Sequence, residues 1–231
     1  MLLFFYTFVL KFKAKLSVMA MLTLYRKELK GKILKTAMEQ FMLRGIKSVK
    51  MDDIARQLGI SKRTLYEIFQ DKEELLYEGL KETEEYIDNY LKRYAETGQH
   101  NVVEVMMESY YIQAGFFSKI NPAFLLEMPK YDKVVKLMAA RRKERDREAK
   151  TFLKQGIEEG LFRSDVNFEI IASIGHFTMK HILETKMYRD YAFETLFETV
   201  FLVLVRGMCT EEGIRIVDAS LRSGHHDTKL G

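Results

Sequence analysis

A chain of 231 residues is long enough to bury a sizeable core, and its 37 Lys/Arg against 33 Asp/Glu leave a net charge of only +4. Cys209 is the single cysteine, which excludes an internal disulfide framework and a cysteine-based zinc site and suits a reducing cytoplasm. With two prolines and no proline-rich or serine-rich run, a long linker is excluded as well.

The charge is unevenly placed. From Tyr25 to Arg63 there are eleven Lys/Arg and four Asp/Glu, a net of +7, so the rest of the chain is net −3. A basic end on an acidic body is the footprint of a protein that offers one face to nucleic acid.

Residues 1–22 are an uncertain extension. The apolar run Leu2 to Leu10 is far short of the roughly 20 residues that span a bilayer. Its lysines follow the run, whereas a signal peptide has them before it. No membrane anchor is expected. Met19 and Met21 stand just before the patterned sequence, so translation is expected to start there, with a genuine arm as the alternative.

From Arg26 to Arg44 the residues Leu29, Ile33, Leu34, Ala37, Met38, Phe41 and Met42 recur at helical spacing, and Gly45 stands just past the end. Arg26, Lys27, Lys30 and Lys32 crowd its start, either against a DNA backbone or as a solvated face. Asp52 and Asp53 then suit the first turn of a short helix whose inner face is Ile54, Ala55 and Leu58. Gly59 ends it, Ile60 drops into the small core, and Ser61 caps a further helix with Leu65, Ile68 and Phe69 inward. Lys62, Arg63, Thr64, Tyr66 and Glu67 are left outward, with suitable residue types for base edges and phosphates in a major groove. Asp71 and Glu74 form a capping box for the next helix, and Lys72 sits at its N-terminus.

This run, IKSVKMDDIARQLGISKRTLYEIFQDKEELL, resembles the N-terminal domain of the TetR family of transcriptional regulators. Ile54 and Ala55, Gly59 to Ser61, Thr64 to Tyr66, Phe69, Lys72 and Leu75 match the family pattern in register. Lys50 departs from the usual Ser or Thr cap, and Ile68 from the usual Tyr or His. The resemblance implies an all-α fold: a helix-turn-helix DNA-binding domain over residues 23–84, joined by a long helix to a helical ligand-binding and dimerisation domain over 85–221. Residues 222–231 would form a flexible tail.

Further along, Lys72 to about Tyr94 predicts a long helix with Leu75, Leu76, Leu80, Ile87 and Leu91 inward, ended by Gly98. Asn101 to Ser118 follows. Asn121 and Pro122 start a short helix that Pro129 closes after Met128. Tyr131 to about Gly160 is helical with a charged stretch, Arg141 to Lys150, expected as an exposed face. Two more helices run from about Asn167 to Met187 and from Tyr191 to Cys209, with Thr210 to Leu221 as a short last one. In the Tyr191 to Cys209 helix, Phe193, Leu196, Phe197, Val200, Phe201, Leu204, Val205 and Met208 make a stripe wide enough to meet a partner.

Catalytic motifs are missing: there is no glycine-rich phosphate loop, G-x-S-x-G or H-E-x-x-H, and no enzymatic activity is expected. His176 and His181 do not share a helical face as metal ligands would, and His225 with His226 is a weak metal signal on the tail. No cofactor or metal is expected, and Cys209 is read as inert packing. Met106, Tyr110, Phe117, Phe124, Met128, His176 and Met179 either fill a core or line a cavity for an apolar or amphipathic ligand.

The expectation is therefore a homodimeric regulator, a repressor released by a small-molecule inducer. Ser48, Lys50, Ser61, Lys62, Arg63, Thr64, Tyr66 and Lys72 would contact double-stranded operator DNA, and the last two long helices would form the dimer. The alternatives are an activator of the same fold, or a helical ligand- or partner-binding protein that no longer reads DNA.

Overall fold

The computed structural model describes the backbone of residues 2–223 and the side chains of residues 23–223. Ten α-helices make up the described chain: α1 Leu2–Arg44, α2 Met51–Gln57, α3 Lys62–Ile68, α4 Lys72–Thr97, α5 Val102–Phe117, α6 Pro122–Glu127, α7 Asp132–Glu158, α8 Phe168–Thr185, α9 Phe193–Met208 and α10 Glu211–Ser223. A single antiparallel bridge, Phe162 to Cys209, is the extended pairing among the described residues.

Local chemistry sets most of these boundaries. Gly45, Gly59 and Gly160 have φ of 80°, 64° and 72°, the left-handed conformation that stops α1, α2 and α7 where β-carbons are disfavoured. Asn101, Asn121 and Asn167 each accept a backbone N–H in the first turn of α5, α6 and α8.

Several boundaries differ from those expected from the sequence, among them these three. The backbone of α1 continues back to Leu2 rather than starting at Arg26. Pro129 lies inside a one-turn 3-10 helix, Met128–Lys130, because a proline in the first turn lacks only an N–H that has no helical acceptor there. Lys186, at φ 60°, ends α8 before Met187.

Two apolar clusters hold the molecule. The first joins Ile33, Ala37 and Phe41 of α1, Ile54, Leu65 and Phe69 of the helix-turn-helix, and Leu75 and Leu76 of α4 to Ile120, Phe124, Val134, Ile182, Phe193 and Leu196. The second sits deeper in the body, around Val103, Met107, Tyr110, Phe162, Phe197 and Val205. At roughly 1.5–3 kcal/mol for each large apolar side chain removed from water, such clusters dominate stability.

The distal half of α4 is held differently. Arg141 of α7, only 17% exposed at its side chain, lies 3.0 Å from Glu144, 3.3 Å from Asp88 and 3.8 Å from Glu85, while Arg145 pairs with Glu84. Part of the Arg141 to Lys150 stretch therefore faces α4 instead of water. Complementary acids on α4 draw it inward, a pairing that the composition of α7 alone does not reveal.

Candidate nucleic-acid interface

The interface is built on a short, firmly capped helix. Ser61 Oγ accepts the Thr64 N–H at 3.0 Å and lies 2.8 Å from Thr64 Oγ1. Leu65 and Phe69 anchor the inner side in the first cluster, so Lys62, Arg63, Tyr66 and Glu67 are left exposed and Thr64 half-exposed. A helix pinned by its own cap and two buried side chains presents its outer face with little freedom to reorient.

Carboxylates of the same domain hold its cations. Lys62 pairs with Asp52 of α2, and Arg63 Nε donates to Glu67 Oε1 at 2.8 Å one turn along. The bond to Glu67 raises the proton affinity of Arg63 further. Arg63 is nonetheless 89% exposed at its side chain, so its remaining N–H groups point to solvent.

Around the recognition helix the remaining expected contacts fall in different places. Lys50 is the exposed N-cap of α2; its ammonium can only donate, so the cap is half made, by Asp53 Oδ2 accepting the Lys50 N–H at 3.2 Å. Ser48 is exposed, but its hydroxyl proton is directed at the Arg44 carbonyl, 2.6 Å away, or that of Gly45 at 3.0 Å.

The expected Asp71 and Glu74 box is also altered. Asp71 Oδ1 accepts the Glu74 N–H at 2.7 Å, whereas Glu74 Oε2 reaches back to the Gln70 N–H at 2.6 Å, one residue further than a capping box requires. Lys72 turns inward: Nζ donates to the carbonyls of Ile46 and Val49, both at 2.9 Å. Burial lowers its proton affinity and the Glu127 carboxylate opposes that shift. Lys30, at the basic start of α1, is paired with Glu78 at 2.9 Å and lies 5.7 Å from the Phe69 ring centre, while Arg26, Lys27 and Lys32 stay exposed.

In the body, the expected ligand residues do not share one surface. Tyr110 stacks on Phe197 and Phe201, and Phe117 packs on Phe193 and Phe197. Met106 joins the deeper cluster, Phe124 and Met128 the first, and Met179 touches both. His176 stands apart, exposed on α8 with its ring 6.1 Å from that of Phe177, and His181 is exposed as well. His225 and His226 lie outside the described residues. Among the described residues, no group of His, Cys, Asp or Glu is placed to hold a metal ion.

Two features were not anticipated. Glu108 of α5 is 2% exposed and its Oε1 accepts the Tyr90 hydroxyl at 2.6 Å across the α4/α5 contact. That bond, aided by burial, pushes the Tyr90 hydroxyl up to about 12. Along α8, Ile170, Ile174 and Phe177 are exposed on one face, and Val203 of α9 is exposed as well, whereas Phe193, Leu196, Phe197 and Val205 of the stripe expected to meet a partner are buried inside the chain. A three- and four-residue spacing of the apolar positions was the available signal for this second face.

Comparison with known proteins agrees with this geometry. Residues 33–78 match the model of the bacterial regulatory proteins, tetR family. No curated protein matches the sequence. Among solved structures, the chain is similar to a TetR-family transcriptional regulator from Agrobacterium tumefaciens, with 14% identity, a TM-score of 0.65 and coverage of 80% of this chain and 100% of that one. It is similar to the reduced form of E. coli NemR at 14% identity, TM-score 0.63, covering 79% and 97%. The ketosteroid transcriptional regulator KstR2 of Mycobacterium tuberculosis is 20% identical, with a TM-score of 0.51 and coverage of 79% and 95%. These likenesses are of fold. No described helix is long and apolar enough to cross a membrane.

Proposed function

We propose that this chain, which carries the N-terminal domain of the TetR family of bacterial regulators, binds operator DNA as a homodimer and represses transcription until a small molecule releases it. The observation that carries the reading is α3: a capped, doubly anchored helix whose first turns present Lys62, Arg63, Thr64 and Tyr66 outward. Residues 23–84 supply the DNA-binding domain and 85–221 the body.

Arg63 suits the O6 and N7 edge of a guanine, and Lys62, Thr64 and Tyr66 suit bases or flanking phosphates. Lys50 and Ser48, exposed just before α2, are further candidates for phosphate contact. Contacts to phosphate set register and affinity, whereas base contacts set sequence.

Dimerisation through α8 and α9 is supported by their exposed apolar residues, with Phe177 and Val203 each 67% exposed. An apolar patch left in water on a monomer is unfavourable, and burying it in a two-fold contact removes that cost. Two recognition helices would then enter successive major grooves about 34–36 Å apart. Phe177→Asp is expected to yield monomers in analytical ultracentrifugation; a variant that sediments as a dimer places the interface elsewhere.

Tyr110, Phe117, Met106 and Met179, with their adaptable and aromatic surfaces, are the candidates to open around an apolar or amphipathic inducer. Such a molecule weakens operator affinity by the factor with which it prefers the DNA-free arrangement. Selection of bound fragments from genomic DNA, followed by gel shifts at two salt concentrations, tests the whole reading. A palindromic site bound tightly and salt-dependently is expected; absence of salt-sensitive DNA binding overturns it. Raised reporter transcription on deleting the chain marks repression, and lost transcription marks activation.

A further inference from the structure

We propose that Glu127 of α6 and Lys72 of α4 are positioning residues that both hold the loop between α1 and α2, so that the body sets the placement of the helix-turn-helix through this loop. The inference rests on the DNA-binding reading above. It assigns Lys72 a role other than phosphate contact and brings in a carboxylate far from α3.

On the body side, Glu127 Oε2 at the end of α6 accepts the Lys47 N–H at 2.7 Å, and the Asn121 N–H donates to the Met42 carbonyl at 2.7 Å. Gly45 fits the same contact without a side chain: a β-carbon there would stand 3.0 Å from Ala123 Cβ and 3.3 Å from Glu127 Oε2. One turn before Glu127, Phe124 is buried in the first cluster beside the helix-turn-helix residues. Thus α6 is fixed to the loop by an apolar anchor and a charged one.

From the α4 side, Lys72 spends two of its three N–H donors on the Ile46 and Val49 carbonyls. Those carbonyls lie in a non-helical stretch, and breaking the bonds to reach a phosphate would leave them without the ammonium. The loop leads directly into α2, whose Met51 and Ile54 pack with α3 in one cluster. A displacement of the loop therefore carries α2 and α3 with it, and the α6 carboxylate is where displacement of the body enters.

The roles separate by salt dependence. Removing a phosphate contact lowers the slope of log K against log salt by about 0.9 and weakens all duplexes alike. Removing a positioning contact misplaces base-reading groups, so the selected operator suffers more than random duplex and the slope is retained. In full-length protein, Lys72→Met and Glu127→Ala are each expected to weaken operator binding about tenfold, the scale of one charge-assisted hydrogen bond. Glu127→Gln, whose amide oxygen still accepts, should restore most of the affinity.

Amide exchange at Lys47, followed by NMR without DNA, gives an independent reading. It should quicken in Glu127→Ala and stay slow in Glu127→Gln. A lowered slope with equal loss on both duplexes for Lys72→Met overturns the positioning role of Lys72. Unchanged Lys47 exchange in Glu127→Ala overturns the clasp itself. Faster Lys47 exchange in a protein that binds no DNA retains the clasp and refutes the DNA-binding reading instead.

Discussion

Glu67 offers the sharpest test of how the recognition helix is poised. Its carboxylate holds Arg63 at 2.8 Å, with the two side chains 49% and 89% exposed. An exposed ion pair spaced i, i+4 contributes little, because water screens both charges. If Arg63 must leave Glu67 to reach a guanine, that small contribution is subtracted from binding, a factor of about two. Removing the carboxylate also takes a negative charge away from the phosphate backbone. Glu67→Gln should therefore tighten binding about two- to fivefold at low salt, with the gain fading as salt screens it. Fluorescence anisotropy on the selected operator, with wild type, Glu67→Gln, Arg63→Ala and the double variant, separates the contributions. The release component vanishes in the Arg63→Ala background, whereas the field component survives it. Arg63→Ala alone should cost about 1–3 kcal/mol and relax specificity at one base pair. Tenfold weaker binding by Glu67→Gln would refute this reasoning and assign the carboxylate itself to base recognition.

Other expectations follow from the body. Arg141→Met removes the hub of the α4/α7 charge cluster but leaves half-exposed carboxylates that water can reach, so urea unfolding should report a loss of about 1–2 kcal/mol, smaller at high salt; a salt-independent loss would point to packing instead. Tyr90 should titrate at about 12 in ultraviolet absorbance, and Glu108→Gln should bring it down towards the ordinary value. Because the Tyr90 hydroxyl is raised in the folded chain, its contribution to stability is complete below the ordinary value near 10 and is lost as pH rises towards 12. Alkaline denaturation should show this loss in wild type and less of it in Glu108→Gln. Burial pushes the Cys209 thiol up to about 11, so iodoacetamide at neutral pH should label the unfolded chain and leave the native one unmodified; rapid native labelling would contradict its placement.

The features legible in the sequence were those fixed within one or two helical turns. Ser61 and Asn121 cap where the sequence places a cap, and Asn101 and Asn167, expected only as helix starts, cap there too, because a cap bond spans only two or three residues. Gly45 and Gly59 stop helices for a similarly local reason. What escaped depends on partners far along the chain. Lys72 looks like a phosphate ligand from its place at a helix start, yet its acceptors are 26 and 23 residues away. Arg141 looks solvated until α4 supplies its carboxylates. His176 looks like a polar group in an apolar helix, but the rotation of α8 against α9 turns it to solvent. Helical periodicity gives the angle between side chains on one helix and leaves the helix free to rotate as a whole.

The first apolar cluster bears on any attempt to graft this DNA reader onto another sensor. Ile33, Phe41, Leu65 and Leu75 share their interior with Phe124, Val134 and Phe193. A chimera cut after residue 84 would inherit the caps and the recognition helix but expose the apolar faces that α6 and α7 now cover. A transplant that carries α6, with the new sensor's α7 surface matched at Val134, keeps that interior closed.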